Sequence, residues 1–178
     1  MDAGLSEPLF RQVVGPRFDT LPPAVQALHR RSGLWRYEGE VEVERGTGPL
    51  AWCLAAATRL PPAGSGPVQV ELEAGDGGER WVRHIGGRAM PSRLWREHDL
   101  LCEQLGLVRF GFRLSAEDSA IVWRVAQVHA LGVRLPARWF AEVTARESER
   151  DGRYCFDVCA ALPWVGLLVH YRGWLDVG

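Results

Sequence analysis

Apolar and polar side chains alternate along most of the chain between residues 34 and 178. Val68, Val70 and Leu72, for example, are separated by Gln69 and Glu71. Successive side chains of a β-strand point to opposite faces, so an alternation with a period of two predicts strands with one buried face. The same alternation recurs in residues 37–44, 108–114, 121–126, 141–146, 153–158 and 167–172. The segment 121–126 is apolar on both faces.

Short clusters of turn-forming residues separate several of these segments. They are Asp76-Gly77-Gly78, Glu117-Asp118-Ser119 and Asp151-Gly152. Such short connections favour antiparallel pairing, because a parallel crossover takes about a dozen residues or more. Sheets of roughly eight to ten strands tend to curl, and closure removes their exposed edges. The sequence therefore predicts an α+β protein, predominantly antiparallel β, whose curved meander sheet is closed or half-closed into a barrel.

Three helices are predicted before and just after the first strand. Ser6 is placed to cap a helix over residues 9–14, which ends at Gly15-Pro16. Thr20 is placed to cap a second helix that runs to about Arg31. An Ala-rich stretch at about residues 50–60 favours a third helix.

We treat the 178 residues as a single domain with two parts. Residues 1–33 form the helical opening, and residues 34–178 form the antiparallel sheet. About three N-terminal helices pack on that sheet in this prediction.

Composition removes several classes of function. The hydrophobic content of 47% allows a core of ordinary size, and a net charge of −1 gives no basic excess for nucleic acid. All 21 basic residues are arginine, so no lysine is present to form a Schiff base or to bind phosphate in a phosphate loop. No apolar run is long enough to span a membrane, and the N-terminus lacks the pattern of a secretory leader. We therefore expect a cytoplasmic protein with reduced cysteines.

The common catalytic and metal-binding motifs are missing from the chain. Cys155 and Cys159 lie four residues apart on a predicted strand, which is too far along the strand for both to hold one ion. No nucleophile elbow surrounds a serine, and no three-glycine dinucleotide fingerprint occurs. We predict neither a metal site nor a cofactor.

Tryptophan and arginine are interleaved through the predicted sheet. Tryptophan offers a large apolar surface and arginine offers planar stacking with paired donors, a combination suited to a mostly apolar ligand with an anionic or carbonyl end. We predict non-enzymatic binding of a small, largely apolar molecule in the concave face of the barrel. The candidate ligand-binding residues are Trp81, Trp95, Trp123, Arg124, His129, His170, Tyr171, Arg172 and Trp174.

Two other functions fit the same pattern. The first is a cofactor-free cyclase or isomerase that uses a polar group in the barrel pocket, so whether the chain is an enzyme stays open. The second is an interaction domain that serves a separately encoded oxidoreductase. The candidate residues for the enzyme are Arg124, His129, His170, Tyr171 and Arg172.

Several segments resemble a bacterial family known as domain of unknown function 4166. The resemblance is carried by RESERDGRYCFDV at residues 146–158, by Leu162-Pro163 and by VHYRGWL at residues 169–175. It extends to residues 9–29 and to Gly86-Gly87-Arg88 with Ser92-Arg93, and so to nearly the whole chain. Members of that family stand alone or are joined to oxidoreductase domains of the short-chain or saccharopine-dehydrogenase type. The resemblance implies an oxidoreductase as a partner, implies no particular activity, and supplies no catalytic residues.

Overall fold

The structure is a computed structural model that describes residues 7–178. Within that range, eleven strands form one antiparallel sheet in which strand order largely follows the chain. The strands are β1 Gly33–Arg45, β2 Gly64–Gly75, β3 Gly78–Ile85, β4 Arg88–Glu97, β5 Leu100–Leu105, β6 Val108–Glu117, β7 Ala120–Ala130, β8 Val133–Leu135, β9 Val143–Arg150, β10 Arg153–Leu162 and β11 Gly166–Asp176.

Two pairings close the sheet into a barrel. β1 pairs with β2 on one side and with β11 on the other, and β7 pairs with both β6 and β9. In the described part of the chain, ten strands therefore form a closed ring, and the short β8 is attached to the end of β7 outside it. The predicted α+β barrel is confirmed, and its sheet is closed.

Three α-helices accompany the barrel in residues 7–178: α1 Leu9–Val14, α2 Pro23–Arg30 and α3 Pro49–Ala57. Short 3₁₀ segments follow α1 at Gly15–Thr20 and precede β9 at Ala137–Phe140. All three helices lie where the sequence predicts them. None of them is long and apolar enough to cross a membrane.

The predicted cap of α2 by Thr20 is wrong. The helix begins at Pro23 behind Pro22, and prolines have no backbone N–H, so the first donor that needs a partner belongs to Ala24. That N–H donates to the Glu149 carboxylate on β9 at 2.7 Å, while the Thr20 hydroxyl donates to the Arg17 carbonyl. The predicted cap at Ser6 lies outside the described residues.

The two ends of the barrel differ. The plugged end carries α1, α2 and the hairpin turns at residues 76–77, 98–99, 118–119 and 151–152. The α3 end carries α3 and the connections at residues 86–87, 106–107, 131–132 and 163–165. The three hairpin signals predicted from the sequence are all turns of the plugged end.

Side chains of α1 and α2 enter the plugged end and join the core. Phe10 is fully buried, and its ring stacks on the imidazole of His29 with centroids 3.6 Å apart. Phe10 also lies 5.5 Å from the ring of Trp123, which points inward from β7. The helical opening thus seals one mouth of the barrel with aromatic rings.

Candidate ligand cavity

A cavity of about 210 Å³ lies inside the barrel, between the plugged end and α3. Apolar side chains from most of the strands form its wall, including Val70, Ile85, Met90, Phe112, Val158 and Val169. At the α3 end the cavity is bounded by Leu54 of α3 and by Thr58, Leu60 and Phe140. The space is thus enclosed by hydrophobic groups over most of its surface.

A polar cluster of three residues, the Arg83 cluster, interrupts this apolar wall. Arg83 on β3 donates to the Ser92 hydroxyl on β4 at 2.9 Å and to the Glu103 carboxylate on β5 at 3.3 Å. Its guanidinium also lies over the ring of Trp81 at 4.9 Å. Burial is the largest single influence and pulls the pKa of Arg83 down, but Glu103, Tyr171 and Tyr154 together more than offset it, so the pKa lies above its ordinary value. Arg83 therefore stays charged and paired inside the barrel.

A second polar group, the His29 cluster, lies where α2 meets the sheet. Nε2 of His29 is 2.6 Å from a carboxylate oxygen of Glu147 on β9, and both side chains are almost fully buried. Tyr154 on β10 is adjacent: burial, reinforced by the charge of Glu147, raises the pKa of its phenol well above the ordinary value. Glu147 and Tyr154 reach the cavity, and His29 lies behind them.

Tyr171 on β11 points into the same space. Burial raises the pKa of Tyr171 to about 12, although the positive charge of Arg83 acts in the opposite direction. Tyr154 and Tyr171 are therefore neutral phenols at physiological pH. Tyr154 already donates to Glu147 and can accept a hydrogen bond from a bound molecule, whereas Tyr171 can donate or accept one.

The charges around the cavity are balanced by the protein itself. Among the described residues that line it, Arg83, Glu103 and Glu147 are the basic and acidic side chains. Arg83 is paired with Glu103, and Glu147 is hydrogen-bonded to His29. A ligand would accordingly meet neutral hydroxyl groups and paired charges.

Three of the nine candidate residues from the sequence line the cavity: Trp81, Trp123 and Tyr171. The other six lie on the outer wall of the barrel: Trp95, Arg124, His129, His170, Arg172 and Trp174. The reason is the alternation of strand faces. Arg124 follows Trp123 and Arg172 follows Tyr171, so each arginine faces away from its inward neighbour.

The outward residues are engaged with other surface groups. Arg124 donates two hydrogen bonds to Glu117, which together with the Ser115 hydroxyl hold the pKa of that carboxyl at about 2. His170 lies 2.9 Å from Asp157. Because His129 and His170 are on the outer face, the five residues suggested for a cyclase or isomerase do not meet in one pocket. No group of three or more His, Cys, Asp or Glu side chains in residues 7–178 is arranged to hold a metal ion.

The sequence prediction missed the inner polar residues, although a signal for them exists. Arg83 has the same strand phase as Trp81 and Ile85, and Glu147 has the same phase as Val143 and Ala145. A charged residue in an otherwise apolar phase of a strand indicates a polar group on the inside. His29 gives no such signal, because its position depends on how α2 docks.

Glu79 provides a test of electrostatics inside the plugged end. Burial raises the pKa of Glu79, and the indole N–H of Trp81 donates to its carboxyl group at 2.7 Å. The native state therefore holds this proton to higher pH than the unfolded chain. The stabilisation is fully present below the ordinary pKa of 4.5 and is lost as the pH rises through the raised pKa.

We expect Glu79→Gln to become more stable relative to wild type as the pH rises, by about 1 kcal/mol or more between mildly acidic and mildly alkaline solution. The amide keeps an acceptor for Trp81 but cannot ionise. Urea unfolding at both pH values measures the difference. Glu73→Gln, at an exposed position on β2, should show no such trend. A difference that stays constant or shrinks with pH would contradict a raised pKa for Glu79.

The fold and the cavity together define the class: a closed up-and-down β-barrel with an apolar internal cavity, sealed at one end by helices from its own N-terminal part. The chain belongs to the family described as Domain of unknown function (DUF4166), whose model matches residues 21–175. The match includes α2 with His29 and stops short of α1 with Phe10. A search of curated proteins finds no match to the chain.

Proposed function

We propose that this barrel binds a small, largely apolar molecule in its interior and catalyses no reaction on it. The observation that carries the proposal is the cavity of about 210 Å³ with its predominantly hydrophobic wall. Natural cores are packed with few voids larger than a water molecule, so a space of this size needs an explanation. An apolar cavity of ~150 Å³ is enough to take up benzene. By that ratio, this one suits a ligand that places roughly eight non-hydrogen atoms inside it.

The polar groups of the cavity favour a ligand with a neutral polar end. A carboxylate would need an unpaired cation, whereas Arg83 is already occupied by Glu103 and Ser92. Burial of a charge without a partner costs several kcal/mol, on the order of 3–5. A hydroxyl or carbonyl group could instead exchange hydrogen bonds with Tyr154 or Tyr171. We therefore propose an alcohol, ketone or similar neutral compound rather than a fatty acid.

The experiment compares two probes of equal chain length, 1-octanol and octanoate. Native mass spectrometry of the purified chain first shows whether a molecule is retained. Each probe is then titrated into the chain, and the change in the fluorescence of Trp81 and Trp123 measures its binding. We expect 1-octanol to bind at least about tenfold more tightly than octanoate at neutral pH. Tighter binding of octanoate would overturn the neutral-ligand proposal but leave the binding function in place.

A pair of variants on β9 separates binding in the cavity from binding elsewhere. Ala145 lines the cavity, so Ala145→Phe should fill it and abolish the fluorescence response to 1-octanol. Ser148 lies in the opposite phase of the same strand, and Ser148→Phe should leave binding unchanged. If the folded wild-type chain binds neither probe and retains no molecule, the proposed function is wrong.

A further inference from the structure

The α3 end of the barrel presents a set of exposed hydrophobic side chains around the cavity. Eight large hydrophobic side chains are exposed in residues 7–178, and six of them lie at this end. We call these six the apolar rim: Leu50, Trp52, Leu107, Leu131, Val133 and Trp164. Isolated exposed hydrophobic residues are ordinary, but a contiguous group marks a surface that contacts a partner or a membrane.

Backbone contacts show that the rim residues come from neighbouring segments. The N–H of Leu107 donates to the Ala57 carbonyl at the end of α3, and the N–H of Leu131 donates to the Leu107 carbonyl at 3.1 Å. Trp164 in the β10–β11 turn packs edge-on against Trp139, with ring centroids 5.5 Å apart. The rim thus joins α3, three connections between strands and β8 on one end of the molecule.

Helix α3 lacks the polar outer face that a surface helix in water normally has. Its sequence, PLAWCLAAA, contains no charged residue. Ala51 and Ala55 are buried against the barrel, yet Leu50, Trp52 and Cys53 are exposed. A helix that is apolar on all sides is normally covered, so the exposed side of α3 is a surface that a partner or a lipid phase would cover.

The charges of the connections differ in sign between the two ends. Each of the four hairpin turns at the plugged end contains an aspartate: Asp76, Asp99, Asp118 and Asp151. At the α3 end, the connections and β8 contain three arginines, Arg59, Arg134 and Arg138, and one acid, Glu142. The helical segments of the plugged end add Glu7 and Asp19 but also Arg11, Arg17, Arg30 and Arg31, so that end has an excess of two acids over arginines. The α3 end has an excess of two arginines, which makes it the end that a negatively charged surface attracts.

We propose that the apolar rim and its arginines dock the α3 end on an anionic lipid bilayer. Tryptophan and leucine enter the interface between headgroups and acyl chains, and arginine pairs with lipid phosphates. The docked surface lies over α3, which bounds the cavity, so an apolar compound could pass between the lipid and the barrel without crossing water. The docking itself does not depend on what the cavity holds.

The test is sedimentation of the full chain with vesicles of two compositions. We expect binding to an equimolar mixture of phosphatidylcholine and phosphatidylglycerol, and binding about tenfold weaker to phosphatidylcholine alone. The double variant Trp52→Ser/Leu131→Ser should lose binding to the mixed vesicles by about tenfold or more. Arg134→Gln/Arg138→Gln should lose the preference for the anionic lipid while the remaining binding becomes insensitive to salt.

A matched control is available at the plugged end. Leu34 is 74% exposed and Leu131 is 75% exposed, so Leu34→Ser removes an equally exposed leucine from the end with the aspartates. It should bind vesicles like the wild type. The single variant Leu131→Ser is its direct counterpart and should weaken binding. The proposal is overturned if Leu34→Ser weakens binding as much as Leu131→Ser does, or if the chain sediments with neither vesicle. It is also overturned if the rim variants instead abolish a stable complex with a second copy or with an oxidoreductase.

Discussion

Replacing Phe10 by alanine should lower the free energy of unfolding by about 3–5 kcal/mol. The ring is fully buried, stacks on His29 and touches the aromatic residues at the plugged end. Its removal would leave a cavity that α1 and α2 cannot fill, because both helices are held against rigid strands. Urea unfolding followed by tryptophan fluorescence measures the loss, since Trp123 lies beside the ring.

The control for this prediction is Val13→Ala on the same helix. Val13 is only partly buried against the core, so its truncation should cost about 1 kcal/mol. If Phe10→Ala proved no more destabilising than Val13→Ala, then the packing of α1 would contribute little to stability. The barrel would be stable without a sealed plugged end. This result would also fit the family match, which begins after α1.

Glu147→Ala is the second change with a large expected effect, again a loss of about 3–5 kcal/mol. The carboxylate is the hydrogen-bond partner of His29 at 2.6 Å, and the two side chains are buried together. Without the Glu147 carboxylate, the buried imidazole of His29 loses its hydrogen-bond partner and Tyr154 loses its charged neighbour. Denaturant unfolding and the near-ultraviolet circular dichroism of the buried aromatic residues report the loss.

Two variants separate the pair from a general effect of removing charge. Glu147→Gln keeps an oxygen that can accept a hydrogen bond from His29, and should recover part of the stability. Glu149→Ala removes a carboxylate from the same face of β9 that only caps α2 through the Ala24 N–H, so it should cost about 1 kcal/mol. Equal losses for Glu147→Ala and Glu149→Ala would mean that the buried pair contributes no more than a helix cap does.

Most of the strands that the sequence predicts have one apolar and one polar face, and β7 is predicted although residues 121–126 are apolar on both faces. Four strands are not predicted: β8 is only three residues long, and β3, β4 and β5 have mixed faces. In β3, the inner face carries Glu79 and Arg83 while Val82 on the outer face is buried. In β5, Leu100, Leu101, Cys102 and Glu103 are all buried, so no alternation remains. The closure of the barrel cannot be predicted from the local sequence pattern either, because it depends on pairing between the first and last strands.

The candidate site was only partly predictable because residue type alone does not give the face of a strand. Trp81, Trp123 and Tyr171 are large and inward, and composition was enough to select them. Arg124 and Arg172 are adjacent in sequence to inward residues and were selected with them, although the strand turns them outward. Predicting that Arg83 and Glu147 line the cavity requires knowing which face of their strands points into the barrel. The inward face can be identified by comparing the polarity of each charged residue with that of its neighbours two positions away, which share its face of the strand.

The pairing of β1 with β11 has a consequence for biosynthesis. It joins Glu38 to Asp176, so β11 must leave the ribosome before the barrel can close. Glu147 and Glu149, which hold α2 in place, are also among the later residues to emerge. Until then the edges of the growing sheet are open to pairing with other nascent chains. We expect the fold to form slowly, and its yield in cells to depend on chaperones that shield those edges.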